Sequence, residues 1–235
     1  ELAQSGWRVV VLEEGARVDA TDHGRMRPSE SLRHVWRDGG FTATIPVGDS
    51  PVINVTMGKV VGGSSMVTGG VCFRTPDAVL DEWAREHGLP EYAPAKMAPY
   101  FDHVEQHLRV ETVTPDRWSR STHLFDEGAA KSGFRLKSLR RNTEGCQGCG
   151  QCNFGCPEKA KMSVDLSYLP RAVAKGAEVW SHCRVEKVRM RGGRAVGVEG
   201  RLLSGPNGRP GAKLIVHAKK VVLACSAWYT PLLLR

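Results

Sequence analysis

The sequence predicts an α/β fold in which a parallel sheet is combined with an antiparallel β-segment and with a helical and loop insertion. Residues 7–12 read Trp-Arg-Val-Val-Val-Leu, a β-branched run typical of a buried parallel strand. Residues 179–190 and 195–203 are strand-like runs joined by Gly192-Gly193, which favours a hairpin. Residues 77–175 combine helical spacing with a glycine- and cysteine-rich loop, and we expect them to form the insertion.

The composition indicates a folded chain. It has 235 residues, of which 41% are hydrophobic and 25% charged, and these fractions exclude disordered and collagen-like proteins. No apolar run approaches the roughly 18 residues that a membrane helix needs. The 33 Lys and Arg against 25 Asp and Glu give a net charge of +8. That charge allows an anionic ligand, but no nucleic-acid motif accompanies it, so we expect no nucleic-acid partner.

At each end, the sequence predicts a secondary-structure element of which only a part is present. Residues 1–6 predict the last turn of a helix closed by Gly6, with no Met and no signal-like segment before it. The other end lies within the apolar run of residues 232–235. We therefore expect an internal fragment that is incomplete at both ends. Its compartment is not predicted, although the lack of a visible signal slightly favours the cytoplasm.

The first half of the chain predicts few regular elements. Residues 16–50 are polar and suggest an excursion with little regular structure, followed by a strand at 51–55. Asp77 to His87 predict a helix with Leu80 and Trp83 on one face and Gly88 as its cap.

A second helix is predicted to end near Leu108. Pro99 suits its first turn, with residues 94–98 as a lead-in. Tyr100 and Val104 are expected in the core, since they lie at helical spacing.

The second half predicts more strands than helices. Residues 163–175 have helical spacing, with a bend or break at Pro170. Residues 213–217 predict a third strand of the antiparallel segment, and 221–225 a buried strand.

The first predicted strand ends in an acid, Glu13. In dinucleotide-binding folds the second strand ends in an Asp or Glu that accepts hydrogen bonds from the ribose hydroxyls. Many surface strands also end in Glu, so the position alone is a weak signal.

Residues 62–65, Gly-Gly-Ser-Ser, predict a turn that could hold an anion. Paired glycines let the backbone approach a ligand closely, and backbone N–H groups with Ser hydroxyls can then bind a pyrophosphate. For the tetrapeptide in isolation, a flexible loop remains the alternative.

Four segments, in order along the chain, resemble the glucose–methanol–choline (GMC) oxidoreductases. They are Val11–Gly15, Gly58–Ser65 with Arg74, Pro76 and Asp81-Glu82-Trp83, Val179–Gly197, and Val221–Leu234. Members of this family are flavoenzymes that hold FAD in a Rossmann-like domain. The resemblance therefore implies that residues 1–235 are a three-layer, Rossmann-like FAD-binding domain, incomplete at both ends, with residues 77–175 as its insertion.

The resemblance also implies the cofactor contacts. It assigns Glu13 to the adenosine ribose and the backbone near Val185 to the adenine. Thr68 lies where the family usually has an Asn near the flavin, and it keeps a hydroxyl but lacks the amide. The residues implied at the pyrophosphate and the flavin are Gly62, Gly63, Ser64 and Ser65.

Four cysteines repeat the spacing with which bacterial ferredoxins hold an iron–sulfur cluster. They are Cys146, Cys149, Cys152 and Cys156, and Pro157 follows the last of them. The spacing predicts a possible set of metal ligands. In two-cluster ferredoxins, however, the fourth Cys of such a run binds the other cluster.

An alternative interpretation is that this segment binds no metal. The loops of sterol and long-chain alcohol oxidases look like residues 152–156 followed by Lys161 and Ser163. The alternative is therefore a glycine-rich structural loop with reduced or disulfide-paired thiols. The remaining cysteines, Cys72, Cys183 and Cys225, are expected to be buried small hydrophobic residues.

By resemblance, the whole enzyme would oxidise a small-molecule alcohol by hydride transfer to the flavin, with dioxygen, a quinone or a redox protein as the electron acceptor. The general base of that family is a His in the C-terminal region. No catalytic residue is therefore predicted in this chain, and the fragment alone is expected to be inactive.

Two alternatives remain open at this point. One is a flavin dehydrogenase that relays electrons through a cluster at residues 146–156. The other is a ferredoxin-like electron-transfer protein or a non-catalytic binding protein without flavin.

Overall fold

The computed structural model describes residues 1–45, 48–204 and 208–235. The chain divides into two compact units. Unit 1 comprises residues 1–18, 28–64 and 170–235, and unit 2 comprises residues 19–27 and 65–169.

The described residues contain nine strands, most of them short. In chain order they are β1 (Val10–Leu12), β2 (Ala43–Thr44), β3 (Ile53–Asn54), β4 (Glu111–Thr112), β5 (Arg140–Arg141), β6 (Glu178–Trp180), β7 (Cys183–Arg191), β8 (Arg194–Ser204) and β9 (Arg209–His217).

The same residues contain seven α-helices. They are α1 (Ala20–Arg25), α2 (Pro28–His34), α3 (Asp77–Glu86), α4 (Pro94–His107), α5 (Arg120–Lys131), α6 (Tyr168–Ala174) and α7 (Ser226–Leu233). None of these helices combines the length and the apolar character that crossing a membrane requires. The mixture of helices with parallel and antiparallel strands confirms the predicted α/β class.

A parallel strand pair occurs in unit 1, as the β-branched run predicts. β1 pairs with β6, with Val10 opposite Glu178 and Leu12 opposite Trp180. The predicted complete burial of β1 is wrong, because the outward-facing Val11 is 36% exposed. β1 has one hydrogen-bonded neighbour in the described structure, and a strand is fully buried only when both faces of its sheet are covered.

The antiparallel segment of unit 1 is the three-stranded sheet β7-β8-β9. Gly192 and Gly193 form the predicted hairpin turn, with φ of 55° and 73°. The run of residues 179–190 is divided between β6 and β7, where a single strand was expected. The division lies at His182, whose φ of 57° turns the chain out of the extended conformation.

The apolar run at residues 221–225 forms no strand in the described structure, so the predicted buried strand is wrong. Val222 is 74% exposed, and Cys225 is exposed. β-branched residues favour strands only where neighbouring strands bury them, and no strand is paired with this run. Among the other two cysteines expected to be buried, Cys183 is buried and Cys72 is only partly so.

Residues 16–50 are more regular than the sequence indicates. They contain α1, α2 and strand β2, and β2 pairs with β3 inside the predicted strand at 51–55. Asp19 is the N-cap of α1, and its carboxylate accepts the Thr21 N–H at 2.8 Å. Residues 46 and 47 of this stretch lie outside the described residues.

The helices of unit 2 follow their predicted positions only in part. α3 is confirmed, with Leu80 buried and Gly88 at φ 64° after its end. α4 begins at Pro94, so the lead-in and the first turn at Pro99 are wrong. The predicted core positions of Tyr100 and Val104 are also wrong, since the two residues are 66% and 42% exposed.

The predicted helix at 163–175 is shorter than expected. Residues 163–167 form turns, in which the N–H of Ser167 donates to the Ser163 carbonyl at 2.9 Å. α6 begins only at Tyr168, so Pro170 lies in its first turn and causes no break. A proline is tolerated there because N–H groups of the first turn have no intrahelical acceptor.

Candidate functional site

Glu13 lies at the end of β1 in a tightly bonded turn of unit 1. Its carboxylate Oε1 accepts the Gly15 N–H at 2.7 Å. Burial raises the pKa of Glu13 above its ordinary value, although this hydrogen bond opposes the change. A Cβ on Gly15 would overlap the backbone of Lys59 and Val60, so no other residue fits there. The turn therefore fixes an acid at the strand end, as predicted.

Two other segments of unit 1 meet the residues that follow β1. The N–H of Cys183 donates to the Glu13 carbonyl at 2.8 Å, and the N–H of His182 donates to the Gly15 carbonyl at 3.0 Å. On the other side, the N–H of Val61 donates to the Ala16 carbonyl at 2.9 Å. The start of β7 and the residues just before Gly62 are thus bonded to the same four-residue segment.

Val185 lies in β7, two residues after the bond to Glu13, and is paired with Gly200. The register shifts between Val185 and Lys187, which makes a β-bulge next to Val185. A bulge leaves one residue of the strand out of the regular ladder. The structure thus brings Val185 and Glu13 into neighbouring segments.

The glycine-rich turn has the backbone geometry that its sequence predicts. Gly62 and Gly63 have φ of 104° and 59°, in the region that favours glycine. A Cβ on Gly63 would meet nothing within 4 Å. The Ser64 hydroxyl oxygen accepts the Gly58 N–H at 3.1 Å, which leaves its own O–H to donate. Gly62, Gly63 and Ser64 belong to unit 1.

Ser65 and Thr68 belong to unit 2. The Ser65 hydroxyl oxygen accepts the Val164 N–H at 3.0 Å, and the Thr68 hydroxyl donates to the Ser65 carbonyl at 3.4 Å. Residues 63–67 form a 3-10 turn, and Thr68 directly follows it. The Thr68 side chain is exposed.

The buried Lys161 binds three backbone carbonyls of unit 2, and the sequence did not predict these contacts. Its side chain is 2% exposed. The ammonium Nζ donates to the carbonyls of Met66 at 2.8 Å, Thr68 at 2.9 Å and Cys152 at 2.7 Å. We call this arrangement the carbonyl clamp. Burial lowers the pKa of Lys161 to about 8, with Cys152, Cys156 and Asp165 opposing the change.

Arg141 extends the carbonyl clamp by one residue. Its Nε donates to the Gly69 carbonyl at 2.8 Å, and its Nη2 donates to the same oxygen. Nη2 also donates to the Cys152 sulfur at 2.7 Å. Three carbonyls of residues 66–69 therefore face two cationic side chains.

A buried histidine supports the loop beside the clamp. His23 is 2% exposed, and burial, followed by the charge of Lys161, lowers its pKa to about 4. Gly155 has a φ of 113°, and a Cβ there would lie 2.5 Å from the His23 carbonyl group. Only glycine therefore lets residues 152–156 pack against α1.

The four cysteines of the ferredoxin-like run do not assemble into a metal centre. In the part of the chain that the structure describes, no three His, Cys, Asp or Glu side chains are grouped so that they could hold a metal ion. Cys146 and Cys156 accept the N–H groups of Gly148 and Lys161 at 3.4 Å, while Cys152 faces Arg141. The structure thus gives no support to the predicted cluster ligands. All four are free thiols.

Unit 1 also has a surface cavity of about 460 Å³ at the start of α7. It is lined by residues including Leu223, Ser226 and Thr230. Ser226 has a φ of 69°, a conformation that favours glycine. Nearby, the Arg37 guanidinium lies 4.3 Å from the centre of the Tyr229 ring and 2.7 Å from the Glu14 carboxylate. The sequence did not predict this second cluster.

Comparison with protein families identifies a match over most of the chain. The family model described as GMC oxidoreductase matches residues 32–235. A GMC-type oxidoreductase of Mycobacterium tuberculosis is 40% identical over 235 residues, which are 100% of this chain and 36% of that protein. A long-chain-alcohol oxidase of Arabidopsis thaliana is 30% identical over 98% of this chain and 31% of that protein. The chain thus spans about a third of the length of these curated relatives.

Among solved structures, pyridoxine 4-oxidase from Mesorbium loti matches with a TM-score of 0.68 at 17% sequence identity. The match covers 99% of this chain and 48% of that one. It confirms the expectation of a Rossmann-like fold.

Proposed function

The chain belongs to the GMC oxidoreductase family, and from that premise we propose that the full-length protein is an FAD-dependent enzyme that oxidises an alcohol. In this proposal residues 1–235 are part of the FAD-binding domain, and residues 77–175 form its insertion. When bound, FAD would supply the chemistry of the reaction by accepting a hydride from the carbinol carbon.

The observation that carries the proposal is the convergence of three segments on residues 13–16. Glu13 directly follows β1, β7 begins beside it, and the segment leading into Gly62 is bonded to Ala16. These segments contain the acid, the adenine-side strand and the glycine-rich turn of a dinucleotide site. Their meeting within one unit is what such a site needs.

The residues at these positions fit the parts of FAD in chemical terms. The Glu13 carboxylate can accept hydrogen bonds from ribose hydroxyls, and the backbone at Val185 can meet the adenine. We assign Gly62, Gly63, Ser64 and Ser65 to the pyrophosphate and the flavin, where the Ser64 hydroxyl has its own O–H left to donate. The open space around the Gly63 Cα would let that backbone approach the cofactor closely. We assign Thr68 to the flavin end of the site.

The proposed substrate is a small-molecule alcohol with a CH–OH group, and the proposed acceptor is dioxygen, a quinone or a redox protein. The names of the long-chain-alcohol oxidase and pyridoxine 4-oxidase relatives support oxidation of an alcohol. Within this chain the proposed role is to bind and orient the cofactor, and we assign no catalytic base to it.

The direct test is the flavin content of the purified full-length protein. We expect about one FAD per chain, released on denaturation, with a visible spectrum that bleaches when an alcohol substrate is added without oxygen. Primary, secondary and long-chain alcohols are compared as substrates. A homogeneous preparation that contains no flavin and takes up no added FAD would contradict the proposal.

A pair of glycine variants tests the position of the cofactor. Gly63 and Gly133 both have positive φ, of 59° and 79°, and a Cβ on either would meet nothing within 4 Å. Both Gly→Ala changes should therefore cost about 1 kcal/mol of stability through backbone strain. Only Gly63→Ala should also weaken FAD binding, by tenfold or more in the Kd measured by titration of the apoprotein. Equal FAD affinity in the two variants would place the cofactor elsewhere.

A further inference from the structure

The carbonyl clamp fixes the polarity of residues 66–70. The described peptide bonds are all trans, so each carbonyl points opposite to the N–H of the same peptide group. Lys161 and Arg141 bind the carbonyls of Thr68 and Gly69. The N–H groups of Gly69 and Gly70 must therefore point away from the two cations.

Those N–H groups have no protein acceptor within residues 1–45, 48–204 and 208–235. Gly70 is nevertheless buried, and a buried N–H is almost always paired in folded proteins. On the carbonyl side, the N–H of Asn142 donates to the Gly70 carbonyl at 3.0 Å. Four of the five carbonyls of residues 66–70 are thus bonded within unit 2, whereas the N–H groups of Gly69 and Gly70 remain as donors for a ligand.

We propose that Lys161 is a positioning residue for the cofactor: by binding the carbonyls of Met66, Thr68 and Cys152, it holds the segment so that the N–H groups of Gly69 and Gly70 are directed at the flavin. Arg141 assists by binding the Gly69 carbonyl. This inference rests on the proposed function. Lys161 itself touches neither cofactor nor substrate in this arrangement. It acts through the peptide groups that it orients.

The charge of Lys161 is essential to this role. An ammonium has three N–H donors, one for each carbonyl, whereas a neutral amine has two. The charged and titratable groups that face it are Cys152, Cys156, Asp165, Arg141 and His23. With a pKa of about 8, Lys161 is mainly protonated at neutral pH and makes all three bonds.

The test compares Lys161→Met, Lys161→Arg and wild type in the full-length protein. Hydrogen–deuterium exchange of the apoprotein reports on the segment directly, and peptides covering residues 66–72 should exchange at least tenfold faster in Lys161→Met. The Kd for FAD should rise at least tenfold, and the visible spectrum of bound flavin should shift. Lys161→Arg should give exchange rates and FAD affinities between those of wild type and Lys161→Met. It keeps the positive charge but not the geometry of the three hydrogen bonds.

Lys96→Met is the matched control, because Lys96 is an exposed lysine of α4 in the same unit. It should match wild type within twofold in both measurements. A folded Lys161→Met protein with wild-type FAD affinity and an unchanged flavin spectrum would overturn the inference. Should Lys161→Met fail to fold, wild-type FAD affinity and spectrum in Lys161→Arg would overturn it instead.

Failure of the proposed function gives a different pattern. Wild type would then take up no FAD, while exchange at residues 66–72 would still differ between wild type and Lys161→Met. That pattern would overturn the cofactor role of Lys161 and leave the carbonyl clamp as a structural element.

Discussion

Glu13 in unit 1 and Lys161 in unit 2 are both charged and shielded from water, yet they use their hydrogen-bonding capacity very differently. The Glu13 carboxylate, which can accept about four hydrogen bonds, receives one from Gly15 among the described residues. Lys161 gives all three of its N–H groups to carbonyls. The first side chain has capacity left for a ligand, whereas the second is saturated by the protein.

This difference separates a proposed binding residue, Glu13, from a scaffold residue, Lys161. A buried charge without enough partners lowers stability, and it persists where function requires it. A buried charge with all its partners ties segments together, and removing it leaves those partners unpaired. We therefore expect changes at Lys161 to lower both stability and cofactor affinity, and changes at Glu13 to lower cofactor affinity with little effect on stability.

The largest expected effect on stability is that of Lys161→Met. Three carbonyls would each lose a charged donor, at about 1–3 kcal/mol each, while relief of the ammonium's burial offsets part of the loss. We expect a net loss of about 3 kcal/mol in the free energy of unfolding. Urea denaturation of the apoprotein measures it, with Lys96→Met as the control. A loss below about 0.5 kcal/mol is typical of surface substitutions. It would show that Lys161 contributes no more to stability than Glu13 does.

The pH dependence of the free energy of unfolding tests whether His23, which supports the loop beside the carbonyl clamp, is shielded from water. Its pKa is about 4 in the folded protein and 6.5 ordinarily, so the unfolded chain binds more protons between these values. The contribution of His23 to the free energy of unfolding is therefore fully present above pH 6.5, and it decreases as the pH falls below that value. At pH 5 the loss should reach about 2 kcal/mol.

His23→Gln should remove this part of the acid destabilisation, because glutamine does not titrate. The exposed His217 supplies the control, and His217→Gln should leave the wild-type pH profile unchanged. The measurement is urea unfolding at intervals between pH 7 and pH 5. Parallel profiles for wild type and His23→Gln would show that the histidine is not shielded in solution.

The sequence predicts the local parts of this molecule well. The acid at the end of β1, the glycine-rich turn and the hairpin at Gly192-Gly193 each depend on a few consecutive residues. Short-range sterics dictate such features, since positive φ favours glycine and β-branched residues favour strands. The GMC resemblance depends on the same kind of local motif, and the family match confirms it.

The long-range contacts of the molecule could not be predicted from the sequence. Lys161 is separated by 95 residues from Met66, and no local pattern pairs a lysine with a distant carbonyl. The cysteine spacing shows that a local pattern alone does not define a metal site. It is a local pattern, but a metal site also requires the thiols to converge, and their partners here are Arg141 and backbone N–H groups. Residues 221–225 show the same limit, because an apolar run becomes a strand only beside another strand.

The smallest effect on stability, and the sharpest contrast with Lys161, is expected for Glu13→Gln. Glutamine keeps an acceptor for the Gly15 N–H and removes the charge whose burial raises the pKa of Glu13. A carboxyl with a raised pKa lowers stability once it is ionised, so at pH 7 the apoprotein should be unchanged or slightly more stable. FAD binding should weaken about tenfold, or about 1.4 kcal/mol, because ribose hydroxyls would donate to a neutral acceptor. Titration of the apoprotein with FAD measures this loss, and Glu127→Gln on the exposed side of α5 is the control. A destabilised Glu13→Gln protein with wild-type FAD affinity would reverse the roles of the two charges, because it would make Glu13 part of the scaffold.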